Sequence, residues 1–339
     1  MNVSDAEPAT GTSQREWVVT LPDPVFAPHP GDLPPGVRVR LWDMTSPPAD
    51  PAEIDVVVPP YMGQEDWTDV LAGLPSLRLV QTLTAGYDNV VPMLPEGVAL
   101  ANAVGVHDTS TAELAIGLTI ASLRGIPDFV RAAEHGEWRQ EVRTSLADRR
   151  VLVIGFGGVG RAVAARLAPF EAQVTAVASR ARREPPEQVG SHGVALVHGI
   201  DELPELLPRH DVVILTVPLT DSTRCMVDSA FLARMPDRAL LVNVARGGVV
   251  DTGALLTELL AGRLLAALDV TDPEPLPPDH ALWSAPGVLI SPHVGGASSA
   301  FVPRAVALLR DQMERLSTGR RPRGIVVPSS WSSSLTDRT

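Results

Sequence analysis

A glycine-rich turn between an apolar run and a helix-like run constrains the fold of this chain more than any other feature. The segment 151–160 reads VLVIGFGGVG, and Gly155, Gly157 and Gly160 give the spacing G-x-G-x-x-G between the two runs. In such a turn the first glycine allows the tight bend, the second lets the backbone approach a diphosphate, and the third lets the helix pack closely on the strand. The segment predicts a dinucleotide-binding unit, with a ligand-free packing turn as the alternative.

Near-continuous apolar runs follow this unit and alternate with helix-like segments. Such runs are typical of parallel strands that are buried on both faces of a sheet. Together with the glycine turn they predict a doubly wound, Rossmann-type α/β domain over 119–296. The predicted strands after the turn are 173–179, 211–218, 239–247, 264–270 and 287–296.

Shorter apolar runs, bounded by Pro and Gly, precede the glycine turn. They predict a smaller α/β domain with a weak helix over 65–74, and a capping box of Ser110 and Glu113 predicts the start of a longer helix. The stretch 301–320 predicts a helix that packs back onto this first block, so the expected domain comprises 1–118 and 297–339. Its predicted strands are 37–42, 54–60, 77–83 and 98–102.

The charged residues exclude several classes of function. The chain contains no lysine, because all 28 basic residues are arginine. This excludes Schiff-base catalysis, a pyridoxal phosphate anchor and a P-loop lysine. A net charge of −12 without a basic block argues against nucleic acid or an anionic membrane as the main partner.

The single cysteine, Cys225, excludes an intramolecular disulfide and a multi-cysteine metal site. We therefore expect a reducing, cytoplasmic setting and no metal site. No stretch reaches the ~18 apolar residues of a membrane-spanning helix, so no membrane association is predicted.

The end of the second predicted strand bears on the choice of cofactor. NAD-binding sites usually place Asp or Glu here to hold the ribose 2′-hydroxyl. This chain has Ala178 in that position, followed by Ser179 and Arg180, with Arg182 and Arg183 nearby. A hydroxyl and a guanidinium can bind a 2′-phosphate. The segment favours NADP(H) over NAD(H), unless it is a solvated basic loop without a preference.

Polar residues that suit carbonyl reduction follow three of the later strands. Arg246 lies in NVARGGVVD, Asp269 and Glu274 lie in LDVTDPEPL, and His293 lies in SPHVGG. Arginine can hold a substrate carboxylate, and a histidine paired with a carboxylate can give a proton to a carbonyl oxygen. Taken singly, each residue has an ordinary structural alternative: a solvated turn charge, a loop residue or a structural histidine.

Seven motifs in order resemble the D-isomer-specific 2-hydroxyacid dehydrogenase family, which includes NADP-dependent glyoxylate/hydroxypyruvate reductases. The resemblance covers about 77–296 and implies a flavodoxin-like substrate domain built from both chain ends, and a homodimer. The motifs are QTLTAGYDNV, NAVGVHDTSTAELAIGL, VLVIGFGGVGR, TVPLTDSTRCMVD, LVNVARGGVVD, ALDVTDPEPL and SPHVGG.

The resemblance also implies roles for individual residues. Arg246 would anchor the substrate carboxylate, His293 would be the general acid, Glu274 would pair with His293, and Asp269 would contact the nicotinamide. The other implied contacts are Gly158, Val159, Pro218 and Thr223 for the cofactor, and Ala85, Gly86 and Tyr87 for the substrate.

The leading hypothesis is therefore an oxidoreductase that transfers hydride between NADP(H) and a small 2-keto or 2-hydroxy acid of the glyoxylate or hydroxypyruvate class. A nucleotide-binding scaffold, as in corepressors, and a phosphite dehydrogenase remain as alternatives. The other histidines, His192, His198 and His210 among them, are predicted to lie on the surface.

Overall fold

The computed structural model describes residues 16–63 and 66–335. Its strands are β1 (Trp17–Leu21), β2 (Val37–Leu41), β3 (Val56–Val57), β4 (Leu79–Gln81), β5 (Ala99–Ala101), β6 (Arg150–Ile154), β7 (Gln173–Ala178), β8 (Arg182–Arg183), β9 (Leu196–Gly199), β10 (Val212–Leu215), β11 (Leu240–Asn243), β12 (Leu265–Leu268), β13 (Val288–Ile290) and β14 (Ile325–Val327). Its α-helices are α1 (Thr68–Ala72), α2 (Asp108–Arg124), α3 (Ile126–Glu134), α4 (Gly158–Leu167), α5 (Pro186–His192), α6 (Leu203–Leu206), α7 (Ser229–Leu232), α8 (Thr252–Leu260), α9 (Phe301–Ser317) and α10 (Ser330–Ser334).

The chain forms two compact units. Within the described residues, the first unit comprises the chain up to Leu83, Asn89–Ala103 and the chain from Ala305, and the second comprises Thr84–Asp88 and Val104–Arg304. No helix in the described part is long and apolar enough to cross a membrane.

The first unit is built on a six-stranded sheet. The strand order is β14-β5-β4-β3-β1-β2, and all neighbours are parallel except β14 and β5, which are antiparallel. Without β14 this is the 2-1-3-4-5 order of the flavodoxin-like fold. The predicted flavodoxin-like sheet is thus confirmed. Leu21, Val57, Leu79 and Leu100 are fully buried in its core.

The second unit is built on an eight-stranded sheet with the order β13-β12-β11-β10-β6-β7-β9-β8. All neighbours are parallel except β8 and β9. The chain order reverses between β6 and β10, so the carboxyl ends of these two strands form the switch point at which ligands bind in doubly wound sheets. This confirms the predicted Rossmann-type architecture and places the glycine turn at the switch point.

The central strand β6 shows why the apolar runs are continuous. Its successive side chains point to opposite faces of the sheet. Leu152 and Ile154 join one apolar cluster, and Val151 and Val153 join the other. All four are 0% exposed, so both faces need apolar residues and the run has no polar alternation.

The predicted start of the long helix is three residues too late, because the N-cap is His107 and not Ser110. Helix α2 begins at Asp108, because the amide of Thr111 already donates to the carbonyl of His107 (2.9 Å). Ser110 lies inside the helix, and its hydroxyl also donates to the His107 carbonyl. The predicted capping box of Ser110 and Glu113 is therefore not formed.

Several short elements have no counterpart in the predictions. β8 and β14 are edge strands of their sheets, whereas β1 and β9 lie inside the sheets. The helices without a counterpart are α3, α5, α7 and α10.

Candidate functional site

The glycine turn has the geometry of a dinucleotide cradle. Gly155 has a φ of +98°, and a Cβ on it would lie 2.7 Å from the carbonyl carbon of Thr216. A Cβ on Gly160 would lie 2.0 Å from the carbonyl oxygen of Gly155, so helix α4 packs directly on the turn. A Cβ on Gly157, in contrast, would have no atom within 4 Å. The closed contacts and the open middle glycine fit a diphosphate at the N-terminus of α4.

The loop after β10 packs against this turn at the switch point. The hydroxyl of Thr216 donates to the carbonyl of Gly155 (2.6 Å). Further along the loop, the hydroxyl of Thr223 donates to the carbonyl of Pro218 (2.6 Å) and accepts from the amide of Thr220 (2.8 Å). The predicted cofactor residues Pro218 and Thr223 thus belong to one closed turn beside the glycine cradle.

At the end of β7, Ser179 and Arg180 are exposed. Within the described residues, neither side chain makes a hydrogen bond or an ion pair. Arg182 differs, because it donates to Glu184 (2.8 Å) and to the carbonyl of Phe156 in the glycine turn (3.0 Å).

Glu184 forms a buried ion-pair network beside the glycine turn. Its side chain is 1% exposed and accepts hydrogen bonds from Arg161 as well as Arg182. Burial by itself would raise the pKa of Glu184, but the hydrogen bonds from the two guanidinium groups outweigh it and hold the pKa below 4.5. This network was not predicted, because the three residues are not spaced as a recognisable motif.

Three histidines that were expected on the surface are buried, namely His107, which is 4% exposed, and the pair His192 and His210. His192 is 2% exposed, lies edge-on to Phe156, and accepts from the amide of Val194. His210 is 5% exposed and lies within hydrogen-bond distance of the Leu206 carbonyl and the Thr175 hydroxyl. Burial lowers the pKa of His192 and His210. The surface prediction fails for this pair because both side chains fill gaps beside the sheet.

Arg246 lies just beyond the end of β11, in a turn that Asn243 holds. The Asn243 side chain donates to the Arg246 carbonyl (2.9 Å) and accepts from the Ala245 amide (3.0 Å). The Arg246 guanidinium donates through Nε to Asp88 (3.0 Å) and through Nη1 to the Ala245 carbonyl (2.9 Å).

The predicted substrate segment lies against this guanidinium. A Cβ on Gly86 would lie 1.1 Å from Nη2 of Arg246, so only glycine leaves room for the side chain there. Ala85 and Tyr87 flank Gly86 and are partly exposed. Asp88 belongs to the same predicted substrate turn and orients Arg246, but its pairing with Arg246 was not predicted.

Glu274 and His293 form the second predicted pair. Nδ1 of His293 and Oε1 of Glu274 are hydrogen-bonded, and both side chains are a little over one third exposed. Burial is the largest single influence on the pKa of Glu274 and would raise it, but the hydrogen bond and charge of His293, the Thr271 amide and the charge of Arg246 together lower it below its ordinary value. Glu274 is therefore a carboxylate at neutral pH, and Arg246 lies close enough to act on it.

His293 also has a constrained backbone. Its φ is +53°, in the left-handed region that non-glycine residues seldom adopt. Its amide donates to the carbonyl of Asp269 (2.7 Å), which holds the residue in this conformation. Such strain costs about 1–3 kcal/mol and persists where the surroundings fix it.

Asp269 organises the turn that carries His293. Its carboxylate is 3% exposed and accepts hydrogen bonds from the Ser291 hydroxyl (2.6 Å) and the amides of Val294 (2.9 Å) and Gly295 (2.8 Å). These bonds make Asp269 a structural support of the turn, a role that was not predicted.

The structure brings the predicted catalytic residues together through packed loops. A Cβ on Gly247 would lie 1.8 Å from the carbonyl oxygen of Thr271, so the turn of Arg246 packs on the loop that carries Glu274. The arrangement can hold a carboxylate at Arg246 and move a proton at His293. In the described part of the chain, no group of three or more His, Cys, Asp or Glu side chains could hold a metal ion.

A family model and several known proteins are similar to this chain over the residues of the site. The family model described as "D-isomer specific 2-hydroxyacid dehydrogenase, NAD binding domain" matches residues 116–295, which include the glycine turn, Arg246, Glu274 and His293. A glyoxylate reductase of Korarchaeum cryptofilum is 31% identical over 267 residues, which cover 76% of this chain and 78% of that protein.

Longer proteins and solved structures match as well. A D-3-phosphoglycerate dehydrogenase of Methanocaldococcus jannaschii is 31% identical over 263 residues, 76% of this chain but 49% of that protein, so the chain spans about half of that relative. The crystal structure of a D-isomer specific 2-hydroxyacid dehydrogenase from Xanthobacter autotrophicus Py2, in complex with NADPH and MES, superposes with a TM-score of 0.76 at 29% identity. The match covers 93% of this chain and 99% of that one.

Proposed function

Because the chain belongs to the D-isomer specific 2-hydroxyacid dehydrogenase family, a family of oxidoreductases that bind a nicotinamide cofactor, we propose that it reduces a small 2-keto acid with NADPH. Glyoxylate and hydroxypyruvate are the first candidate substrates. The hydrogen-bonded pair of His293 and Glu274, within reach of the charge of Arg246, carries this proposal.

The proposed role of Arg246 is to hold the substrate carboxylate. Two of its donor groups are used by Asp88 and the Ala245 carbonyl. Because a guanidinium has five N–H donors, others remain for a carboxylate in a paired geometry. Gly86 packs against Nη2, and because it has no side chain the guanidinium can keep this position, where a Cβ would lie 1.1 Å from that nitrogen.

His293 is the proposed proton donor. Its Nδ1 faces Glu274, so Nε2 carries the proton that passes to the carbonyl oxygen of the substrate. Glu274 orients the imidazole and stabilises its protonated form. After the proton has passed to the substrate, the two side chains are again a carboxylate and a neutral imidazole. The glycine cradle and the turn of Pro218 and Thr223 would hold the dinucleotide, and its nicotinamide would supply the hydride.

We also propose that 119–296 is the cofactor domain and that this domain prefers NADP(H). Ser179 and Arg180 lie exposed at the end of β7, where dinucleotide-binding domains usually hold the ribose 2′ group, and neither side chain is hydrogen-bonded within the described residues. The nearby carboxylate of Glu184 is buried against two arginines and cannot repel a phosphate. Removing Arg180 takes away a charge-assisted hydrogen bond, worth about 1.5–3 kcal/mol, or roughly tenfold or more in affinity.

The cofactor preference is tested with the variant Arg180→Ala. The control is Arg209→Ala, which removes an exposed arginine with no partner in the described residues. The first variant should raise the KM for NADPH at least tenfold and leave the KM for NADH within twofold. The control should change neither. Equal effects on both cofactors would contradict the proposed preference.

The proposed homodimer is supported by an exposed apolar surface on α3 and the segment after it. Val130 is 58% exposed, and Trp138 and Val142 are almost fully exposed. Large apolar side chains in one exposed segment mark an interaction site. Light scattering should give twice the 36.0 kDa chain mass for the wild type and the single mass for Trp138→Arg. A monomeric wild type would refute the dimer.

The reductase itself is tested with purified protein by following the absorbance of NADPH. Glyoxylate, hydroxypyruvate, pyruvate and phenylpyruvate form the panel, with His293→Ala as the test variant and the exposed His135→Ala as the matched control. We expect turnover of at least one acid, retained by His135→Ala and reduced by at least ~100-fold in His293→Ala. NADPH binding without turnover of any acid would contradict the proposal.

A further inference from the structure

The carboxyl group of Asp108 lies over Gly158, the first residue of α4. A Cβ built on Gly158 would lie 2.1 Å from Oδ2 and 2.8 Å from Oδ1 of Asp108. Asp108 is the first residue of α2, and Gly158 is the first residue of α4. The Asp108 carboxyl group therefore occupies the space that any larger side chain at position 158 would need.

The Asp108 carboxyl group lacks hydrogen-bond partners among the described residues. It is half-buried, and no hydrogen bond to it is formed within the described residues. Burial raises the pKa of Asp108, and the neighbouring His107 lowers it less. A carboxyl group that lacks hydrogen bonds and is partly removed from water is easier to protonate than an ordinary aspartate.

The elements packed against α2 are α3, α4 and the strands β11, β12 and β13. Helix α3, which follows the other end of α2, carries Asp128, Arg131 and Glu134, and Arg131 is paired with Asp128. Strands β11, β12 and β13 contain no ionisable residue. On α4, Gly158 and Val159 are uncharged, and Arg161 is turned to Glu184. Asp269, which lies near Thr111 one turn along α2, is held by the Ser291 hydroxyl and two amides.

A bound dinucleotide brings two negative phosphates to this helix N-terminus. An ionised Asp108 would repel them, whereas a protonated one has an O–H to donate. We propose that Asp108 contacts the cofactor in its protonated form and donates a hydrogen bond to a phosphate oxygen, so that cofactor binding takes up one proton from solvent. This inference rests on the proposed cofactor site and adds a pH-dependent contact to it.

The affinity for NADPH should fall as the pH rises, because binding is linked to the protonation of Asp108. The phosphates raise the pKa of Asp108 when they bind, so affinity falls as the pH rises from the free to the bound pKa and is constant above it. Each unit by which the pKa rises corresponds to tenfold in affinity. Asp108→Asn removes the charge and keeps a donor, so it should escape this loss.

The experiment measures NADPH binding by fluorescence and calorimetry, without any turnover. We expect the ratio of the NADPH affinity of Asp108→Asn to that of the wild type to rise with pH, from close to one at the most acidic pH at which both proteins stay folded to about tenfold or more near pH 9. Titration of the NADPH 2′-phosphate cancels in this ratio. Calorimetry in buffers of different ionisation enthalpy should show proton uptake that is smaller in Asp108→Asn, whereas Glu205→Gln, which changes an exposed carboxylate, should match the wild type.

Asp108→Ala separates hydrogen bonding from space filling. It should bind more weakly than Asp108→Asn at every pH, because it lacks the donor. Equal proton uptake in wild type and Asp108→Asn, or a pH-independent ratio of their affinities, would overturn the role of Asp108 while leaving the cofactor site in place. Failure of both proteins to bind NADPH would overturn the cofactor site and this inference together.

Discussion

Asp88 gives a sharp test of the site because it orients Arg246 without being needed as a general acid. Its carboxylate accepts one hydrogen bond from Nε of Arg246 at 3.0 Å. The side chains are 24% and 33% exposed. A hydrogen bond to a charged group is worth about 1.5–3 kcal/mol, and screening by solvent at this exposure reduces it to about 1 kcal/mol.

Asp88→Ala should therefore lower kcat/KM for the 2-keto acid by about fivefold, mainly through KM. Asp88→Asn keeps an oxygen acceptor for Nε and should lose less than about twofold. Initial rates at saturating NADPH give both constants, and the KM for NADPH serves as the internal control. An unchanged kcat/KM in Asp88→Ala would refute the view that this pair positions Arg246.

Three further variants test separate parts of the site. Glu274→Gln removes the carboxylate that orients His293, so kcat for reduction should fall by at least ~10-fold while the KM for the 2-keto acid changes by less than about twofold; an unchanged kcat would count against the pairing. Glu184→Ala should lower the free energy of unfolding in urea by about 3 kcal/mol at neutral pH. Because the pKa of Glu184 lies below 4.5 in the folded state, this stabilisation is present above that pH and should be lost as the pH falls through the folded pKa. Gly160→Ala places a methyl group 2.0 Å from the Gly155 carbonyl oxygen, so it should abolish measurable NADPH binding; ordinary binding by a folded variant would mean that the turn is not the cradle.

The sequence predicts the parts of the fold that depend on local pattern. Strand β6, the glycine turn and α4 are recognisable because each requirement falls on residues close in the chain. Gly155 needs its positive φ and Gly160 its close contact whatever the rest of the molecule does. The two-faced burial of β6 likewise leaves a continuous apolar run that can be seen directly.

Contacts between distant residues are not visible in the same way. Asp88 and Arg246 are 158 positions apart, and nothing local to either residue indicates the other. The start of α2 was placed too late because Ser110 and Glu113 have capping-box spacing, whereas the backbone is already helical from Asp108. The contact of Asp108 with Gly158 is of the same kind, since only the packing of α2 on α4 creates it.

The most direct test of the central claim is the fate of the hydride and the configuration of the product. NADPH that carries deuterium at the transferable position should give the D-2-hydroxy acid with one deuterium at C2, from the best acid in the panel that yields a chiral product. Mass spectrometry and chiral chromatography read out both properties, with His293→Ala as the inactive control. An L-product, a product without deuterium, or full activity in His293→Ala would contradict hydride transfer to a 2-keto acid held by Arg246 and protonated by His293.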